Sequence, residues 1–144
     1  MNHEMAAAKE QGVVLDTSIL VPRKLPFKDE DLCSLLSNLL DNAMEAASQA
    51  GVAEPTVNIS IIPRQEYLFI RVTNPVDKTL PEKRRMTLET TKTNHTELHG
   101  YGTRIIRRIA ESYNGSVKYS MSGGIFTTDV MLEMPEEKSV EEEA

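Results

Sequence analysis

The spacing of apolar residues changes along the chain, and each change marks an element. Residues 13–21 are apolar in β-rich company and end at Pro22 and Pro26, which predicts a strand followed by a connector. Over residues 31–50 the period becomes helical. Leu32, Leu35, Leu36, Leu39, Ala43, Ala46 and Ala47 share one arc, while Ser34, Asn38, Asp41, Asn42, Glu45 and Gln49 share the opposite stripe, and Gly51 ends the pattern. Alternation of period two follows in residues 57–61 and 67–74 around a turn at 63–66, and again in 117–121 and 126–132 around Ser122-Gly123-Gly124, predicting two hairpins. Between the hairpins, Ile105, Ile106, Ile109 and Ala110 predict a second helix over residues 101–114, closed by Gly115. Strands in hairpins interleaved with helices give an α+β fold, a two-layer sandwich whose mixed, mostly antiparallel sheet is covered on one face by helices.

The remaining stretches fix the domain limits. Residues 1–12, with Ala6-Ala7-Ala8-Lys9-Glu10, read as a linker or the end of an upstream helix, and residues 13–135 as the domain itself. Residues 76–98 are rich in Thr, Lys and Arg without a sustained apolar period, the pattern of a functional lid or of a disordered loop. Residues 136–144 form an acidic tail, expected to be disordered.

Composition narrows the class. With 144 residues, 40% hydrophobic and 26% charged, the chain suits one soluble globular domain. No apolar run reaches the ~18 residues of a membrane span, and no signal-peptide core follows Met1. The net charge is −6, with five glutamates against one lysine in residues 136–143, so the balance is not that of a bulk nucleic-acid binder. Arg104, Arg107 and Arg108, with Lys83, Arg84 and Arg85, lack an aromatic ladder and read as a solvated or partner-facing patch. The single Cys33 excludes an intrachain disulfide, has no zinc-spaced neighbours and fits a reducing compartment.

Candidate chemistry starts with the asparagines. Asn is disfavoured in helices by roughly half a kcal/mol relative to Ala, so Asn38 and Asn42, one turn apart on a Leu-rich helix, have a reason to be there. Either they make local hydrogen bonds, or they line a pocket and offer amide oxygen to a hard cation such as magnesium. Asn74 shares a strand face with Leu68, Ile70 and Val72, so its amide should point at the core side; alternatively Asn74-Pro75 opens a loop. His99-Gly100-Tyr101-Gly102-Thr103, placed just before the second helix, lets backbone N–H groups approach phosphate. The third glycine of a dinucleotide fingerprint is absent, since Ile105 stands there, and no Walker sequence occurs. Lys92, in Thr90-Thr91-Lys92-Thr93-Asn94, is a candidate charge for the same phosphates. His95 and His99 have no carboxylate or thiol framework around them, which favours surface or hydrogen-bonding roles over metal ligation.

The order of these features resembles a known family. Asn38-Leu39-Leu40-Asp41-Asn42-Ala43 on a helix, a hairpin ending at Asn74, a Thr/Lys-rich lid, His99-Gly100-Tyr101-Gly102 and then Asn114-Gly115 are similar to the C-terminal ATP-binding domain of sensor histidine kinases. That family lies in the GHKL superfamily shared with gyrase and MutL, and the chain looks most like its Agr-type, peptide-sensing subgroup. The resemblance runs from about Ala8 to Pro135. It implies the Bergerat fold, with ATP and Mg2+ bound between the helices. It implies that Asn42 holds the magnesium, that Asn38 lines the pocket, that Gly100 and Gly102 receive the phosphates, and that His99, Tyr101 and Thr103 beside them belong to the ATP site. Thr91 and Lys92 correspond to the Ser/Thr-Lys element of the lid, and Asn74 to the position where orthodox members carry the adenine-contacting Asp.

The implied activity is transfer of the γ-phosphoryl group to a histidine on a separate dimerisation domain, with a response regulator downstream. No phosphoacceptor histidine is apparent in this fragment. The fragment is expected in the cytoplasm without membrane or nucleic-acid contact, its parent being membrane-anchored. Glu45 where many members carry a basic residue, Thr103 in place of Leu, and Asn74 in place of Asp keep a non-catalytic interaction module of the same fold in view. An anti-sigma-type serine kinase is the other alternative.

Overall fold

Period two builds the sheet and period 3.6 covers it. The computed structural model describes residues 2–20, 25–77 and 97–135, with backbone alone at 2–4 and 97–102. Its elements are α1 (Asn2–Glu10), β1 (Val14–Ile19), α2 (Asp29–Ser48), β2 (Thr56–Arg64), β3 (Tyr67–Pro75), α3 (Glu97–Ser112), β4 (Ser116–Ser122) and β5 (Ile125–Glu133). The strands form one sheet in the order β1-β2-β3-β5-β4. Only the β1–β2 pair is parallel, as the intervening α2 crossover requires.

One sheet face is dry and the other wet. Val57, Ile59, Ile61, Leu68, Ile70, Val72, Val130 and Leu132 point inward and are buried, whereas the alternating Asn58, Phe69, Arg71 and Ile125 point outward and are exposed. Helix α2 lies on the dry face and touches β2, β3, α1 and α3. Because it is enclosed from several sides, its buried arc spans about half the helix and adds Leu40 and Met44 to Leu35, Leu39, Ala43, Ala46 and Ala47, while Leu32 and Leu36 are only partly buried. Ala8 of α1 enters the same core, so the first helix packs against the domain.

Two boundaries differ from the sequence pattern. Pro63 lies inside β2, which continues to Arg64 and turns at Gln65 with φ 59°. Beyond Ile61 the parallel neighbour β1 has ended, so the missing N–H of Pro63 falls where β2 has become an edge. Helix α3 begins at Glu97, upstream of the predicted start, so the His99 to Thr103 segment lies within its opening turns and does not precede it. Glycine's poor helix propensity hid that turn from the periodicity.

The end of α3 is built as the sequence pattern requires. Asn114 takes φ 53°, its N–H donates to Glu111 O at 3.1 Å, and Gly115 N–H donates to Ala110 O at 2.8 Å, the double bond pattern of a Schellman cap. Gly115 also passes so close to the Met131 carbonyl that any Cβ there would collide with it.

Candidate functional site

The direction of the helices decides which residues can meet. At the Tyr67/Glu133 end of the sheet, Glu133 N–H donates to Tyr113 O at 2.9 Å, fixing the last turn of α3 there. The Tyr113 hydroxyl donates to Asp31 Oδ2 at 2.8 Å and accepts from Lys28 N–H at 3.3 Å, so the start of α2 sits at the same end. Phe27 meets the Tyr113 ring edge-to-face, with centroids 4.9 Å apart. Burial raises the Tyr113 phenol above its ordinary pKa, the Lys28 N–H bond opposes the shift, and the Asp31 bond adds to it.

From that anchor, α3 runs back about 24 Å and the eleven-residue step from Asp31 to Asn42 about 16 Å, at 1.5 Å per residue. Strand β3 spans a similar length to its far end, where Asn74 pairs with Phe126. The opening turns of α3, the Asn42 half of α2 and the end of β3 therefore converge at one end of the molecule.

Each asparagine is held there differently. Asn38 is half-buried and its Nδ2 donates to Ser34 O at 2.7 Å, a local bond to the preceding turn that leaves Oδ1 available. Asn42 stands at the border of the buried arc, half-buried, and its amide makes no hydrogen bond to another described residue. Asn74 is 3% exposed and faces the core side, as the alternation predicts, and β3 continues through Pro75, so no loop opens at that dipeptide. Its Nδ2 donates to Pro75 O at 3.0 Å, while Oδ1 of this buried amide accepts no hydrogen bond from another described residue.

The sequence reading missed Thr128. Among the described residues, Asn74 and Thr128 are the two buried polar side chains. Thr128 faces Val72 across the β3–β5 ladder, diagonal to Asn74 on the same inward face. A threonine at an inward position between Phe126 and Val130 was the available signal. Beside this pair, Val76, Met121 and Phe126 form a small separate core, with Tyr119 packed on it.

Other predicted site residues are placed less fully. His99, Gly100, Tyr101 and Gly102 have a described backbone in α3, and Thr103 is half-buried one step further along. Thr91, Lys92 and His95, with residues 78–96 of the predicted lid, lie outside the described residues, as does the 136–144 tail. Glu45 is half-buried on the same α2 stripe and has an interaction partner. No group of three or more His, Cys, Asp or Glu side chains that could hold a metal occurs among the described residues. Amide oxygen such as Asn42 Oδ1, together with water and ligand oxygens, fits magnesium, which keeps several waters and uses few protein ligands. No helix among the described residues is long and apolar enough to cross a membrane.

Comparison with known proteins places this geometry. A family model described as the GHKL domain matches residues 27–133. Sensor protein kinase CarS of Pseudomonas aeruginosa is 32% identical over 120 residues, covering 81% of this chain and 25% of CarS. The chain thus spans about a quarter of the length of that relative. Among solved structures, the Acinetobacter baumannii histidine kinase AdeS superposes with a TM-score of 0.66 at 14% identity, over 94% of this chain and 63% of AdeS. The histidine kinase domain of the Erythrobacter litoralis EL346 blue-light activated kinase gives 0.68 at 15%, over 96% of this chain and 59% of that one. The nucleotide-free catalytic domain of histidine kinase ThkA gives 0.66 at 14%, over 92% and 91% of the two chains. Matched over most of its length, the chain belongs to the GHKL domain family and has the fold of a histidine kinase catalytic domain.

Proposed function

We propose that this domain binds Mg-ATP at the converging ends of α2, β3 and α3 and presents its γ-phosphoryl group to a histidine on a separate dimerisation domain of the parent kinase. The observation that carries the reading is the buried Asn74 amide beside Thr128, at the same end of the fold as Asn42, with neither Asn74 Oδ1 nor the Asn42 amide hydrogen-bonded to another described residue. A buried polar pair without mutual satisfaction is costly in a packed core and is explained if a planar, hydrogen-bonding base enters against it.

In this reading Asn74 Oδ1 accepts from the adenine amino group, and the Thr128 hydroxyl bonds the same ring. Asn42 holds the magnesium through Oδ1, and Asn38 offers Oδ1 one turn earlier. Bound magnesium supplies charge neutralisation on the phosphates. The first turn of α3, whose N–H groups have no acceptor within the helix, brings the positive end of the helix dipole to the same anions, and Gly100 and Gly102 keep side chains out of the way of the phosphates. Thr91 and Lys92, outside the described residues, would add a hydroxyl and an ammonium group to the same phosphates. Phosphoryl transfer asks for positioning and charge neutralisation more than for covalent chemistry by the protein, which suits a site built from amides, backbone and one lysine. A response regulator then takes the phosphoryl group from the histidine.

The experiment is incubation with radiolabelled ATP, with and without the histidine-bearing domain of the parent. Acid-labile label on that domain, and none on this chain alone, is the expected result. Nucleotide binding with no transfer to that domain would favour the non-catalytic module, and label on a serine of a partner would favour the anti-sigma type.

A further inference from the structure

Helix α3 ends on two residues whose identities the fold restricts. Asn114 takes φ 53°, a left-handed conformation that few side chains besides Asn and Asp adopt without cost, and Gly115 passes so close to the Met131 carbonyl that no Cβ fits. The outcome is Asn114-Gly115, the sole Asn-Gly pair in the chain. Such a pair is chemically labile, because a glycine carries no side chain to hinder its backbone nitrogen. That nitrogen attacks Cγ of the asparagine, the N–Cγ bond forms, the Cγ–Nδ2 bond breaks, and Nδ2 leaves as ammonia with the proton that the glycine nitrogen gives up. Water then opens the cyclic imide at either carbonyl, leaving aspartate, or isoaspartate with an extra methylene in the backbone.

Hydrogen bonds oppose both halves of that reaction here. Gly115 N–H donates to Ala110 O at 2.8 Å, so the nucleophile is turned into the helix cap. Asn114 Nδ2 donates to Glu133 Oε1 at 3.0 Å, so the amide is held against β5. Glu133 is itself fixed, since its N–H donates to Tyr113 O at 2.9 Å and it stands in register with Tyr67. Asn114 is exposed, so water reaches it in the closed state and its protection rests on these bonds, not on burial.

We propose that Asn114 is a deamidation site latched by the Ala110 carbonyl and the Glu133 carboxylate, and that it converts when the last turn of α3 opens locally. Either product undoes the latch. Aspartate replaces the donor with a second carboxylate facing Glu133, and isoaspartate lengthens the backbone where the spacing of the cap is set by its hydrogen bonds. Tyr113, the preceding residue, ties α3 to the start of α2 through Asp31, so the modification loosens the joint between those helices. None of this depends on nucleotide binding.

The test ages the full chain in mildly alkaline buffer. Trypsin cleavage after Arg108 and Lys118 then releases residues 109–118, in which chromatography with mass spectrometry separates the Asn, Asp and isoaspartate forms. The native chain is expected to convert at least about tenfold more slowly than a free peptide of residues 109–118, because conversion follows the open population. Glu133→Ala should speed it several-fold, and Glu133→Gln, which keeps an acceptor oxygen, should stay near the native rate. Leu39→Ala, which weakens the core without touching the latch, should also stay near it. Equal rates in the native chain and the free peptide would overturn the proposal, as would an unchanged rate in Glu133→Ala or a larger acceleration in Leu39→Ala than in Glu133→Ala. Asn114→Asp should lower the denaturant midpoint, with part of the loss restored by adding Glu133→Gln; an unchanged midpoint would contradict the loosening of the joint.

Discussion

Leu39 and Asn42 lie three residues apart on α2, one in the packed core and one at its border. Leu39→Ala should cost about 2–5 kcal/mol in denaturant unfolding, since it leaves a cavity. Asn42→Ala should change stability by less than about 0.5 kcal/mol, because its amide holds no other described residue. Thr128→Val separates a packing role from a polar one. It keeps the shape, so the fold should be at least as stable, while nucleotide affinity measured by titration should drop about tenfold, the value of one lost hydrogen bond. Unchanged affinity would remove Thr128 from the site. The asparagines were legible in the sequence because Asn is out of place on a Leu-rich helix. Thr128 was not, because threonine is at home in strands and only its inward position makes it unusual.

Tyr113 ties the two helices that flank the cleft at the end remote from the nucleotide. Tyr113→Phe keeps the edge contact with Phe27 and removes the bonds to Asp31 and Lys28, for an expected loss of about 1 kcal/mol. Its phenol binds its proton more tightly in the folded chain, so its contribution is fully present below the unfolded value near 10 and is lost as pH rises through the higher folded value. The alkaline fall in stability should therefore be shallower in the variant. It should not vanish, since burial raises Tyr119 as well. A pH series of unfolding curves reads this, and identical alkaline limbs would contradict it. Element types followed from the periods, but two limits did not. Pro63 reads as a turn residue and is carried inside β2 because its neighbour strand has ended, and the glycines of α3 read as a loop although the helix runs through them. The Tyr113 tie, spanning 82 residues to Asp31, has no local signal at all.

At the scale of the molecule, a mixed sheet with α1, α2 and α3 on one face brings the ends of α2, β3 and α3 together, and among the described residues nothing covers the opposite face. The hairpins and helix periods were enough to anticipate the layers, whereas the convergence depends on helix direction, which the long-range contacts of Tyr113 set. On this account the chain holds ATP without consuming it. The side chain at position 38 is an amide that cannot take a proton at neutral pH, and Glu45 stands about 10 Å further along the helix. Free-phosphate release by the purified chain should stay at background, and brisk release abolished by Asn42→Ala would make it an ATPase. The central claim is that the Asn42 and Asn74 end binds Mg-ATP, and calorimetric titration of ATP with magnesium into the parent chain and into folded Asn42→Ala tests it most directly. The account predicts saturable heat for the parent and the loss of its magnesium-dependent part in the variant; no heat from the folded parent, or equal binding by both, would contradict it.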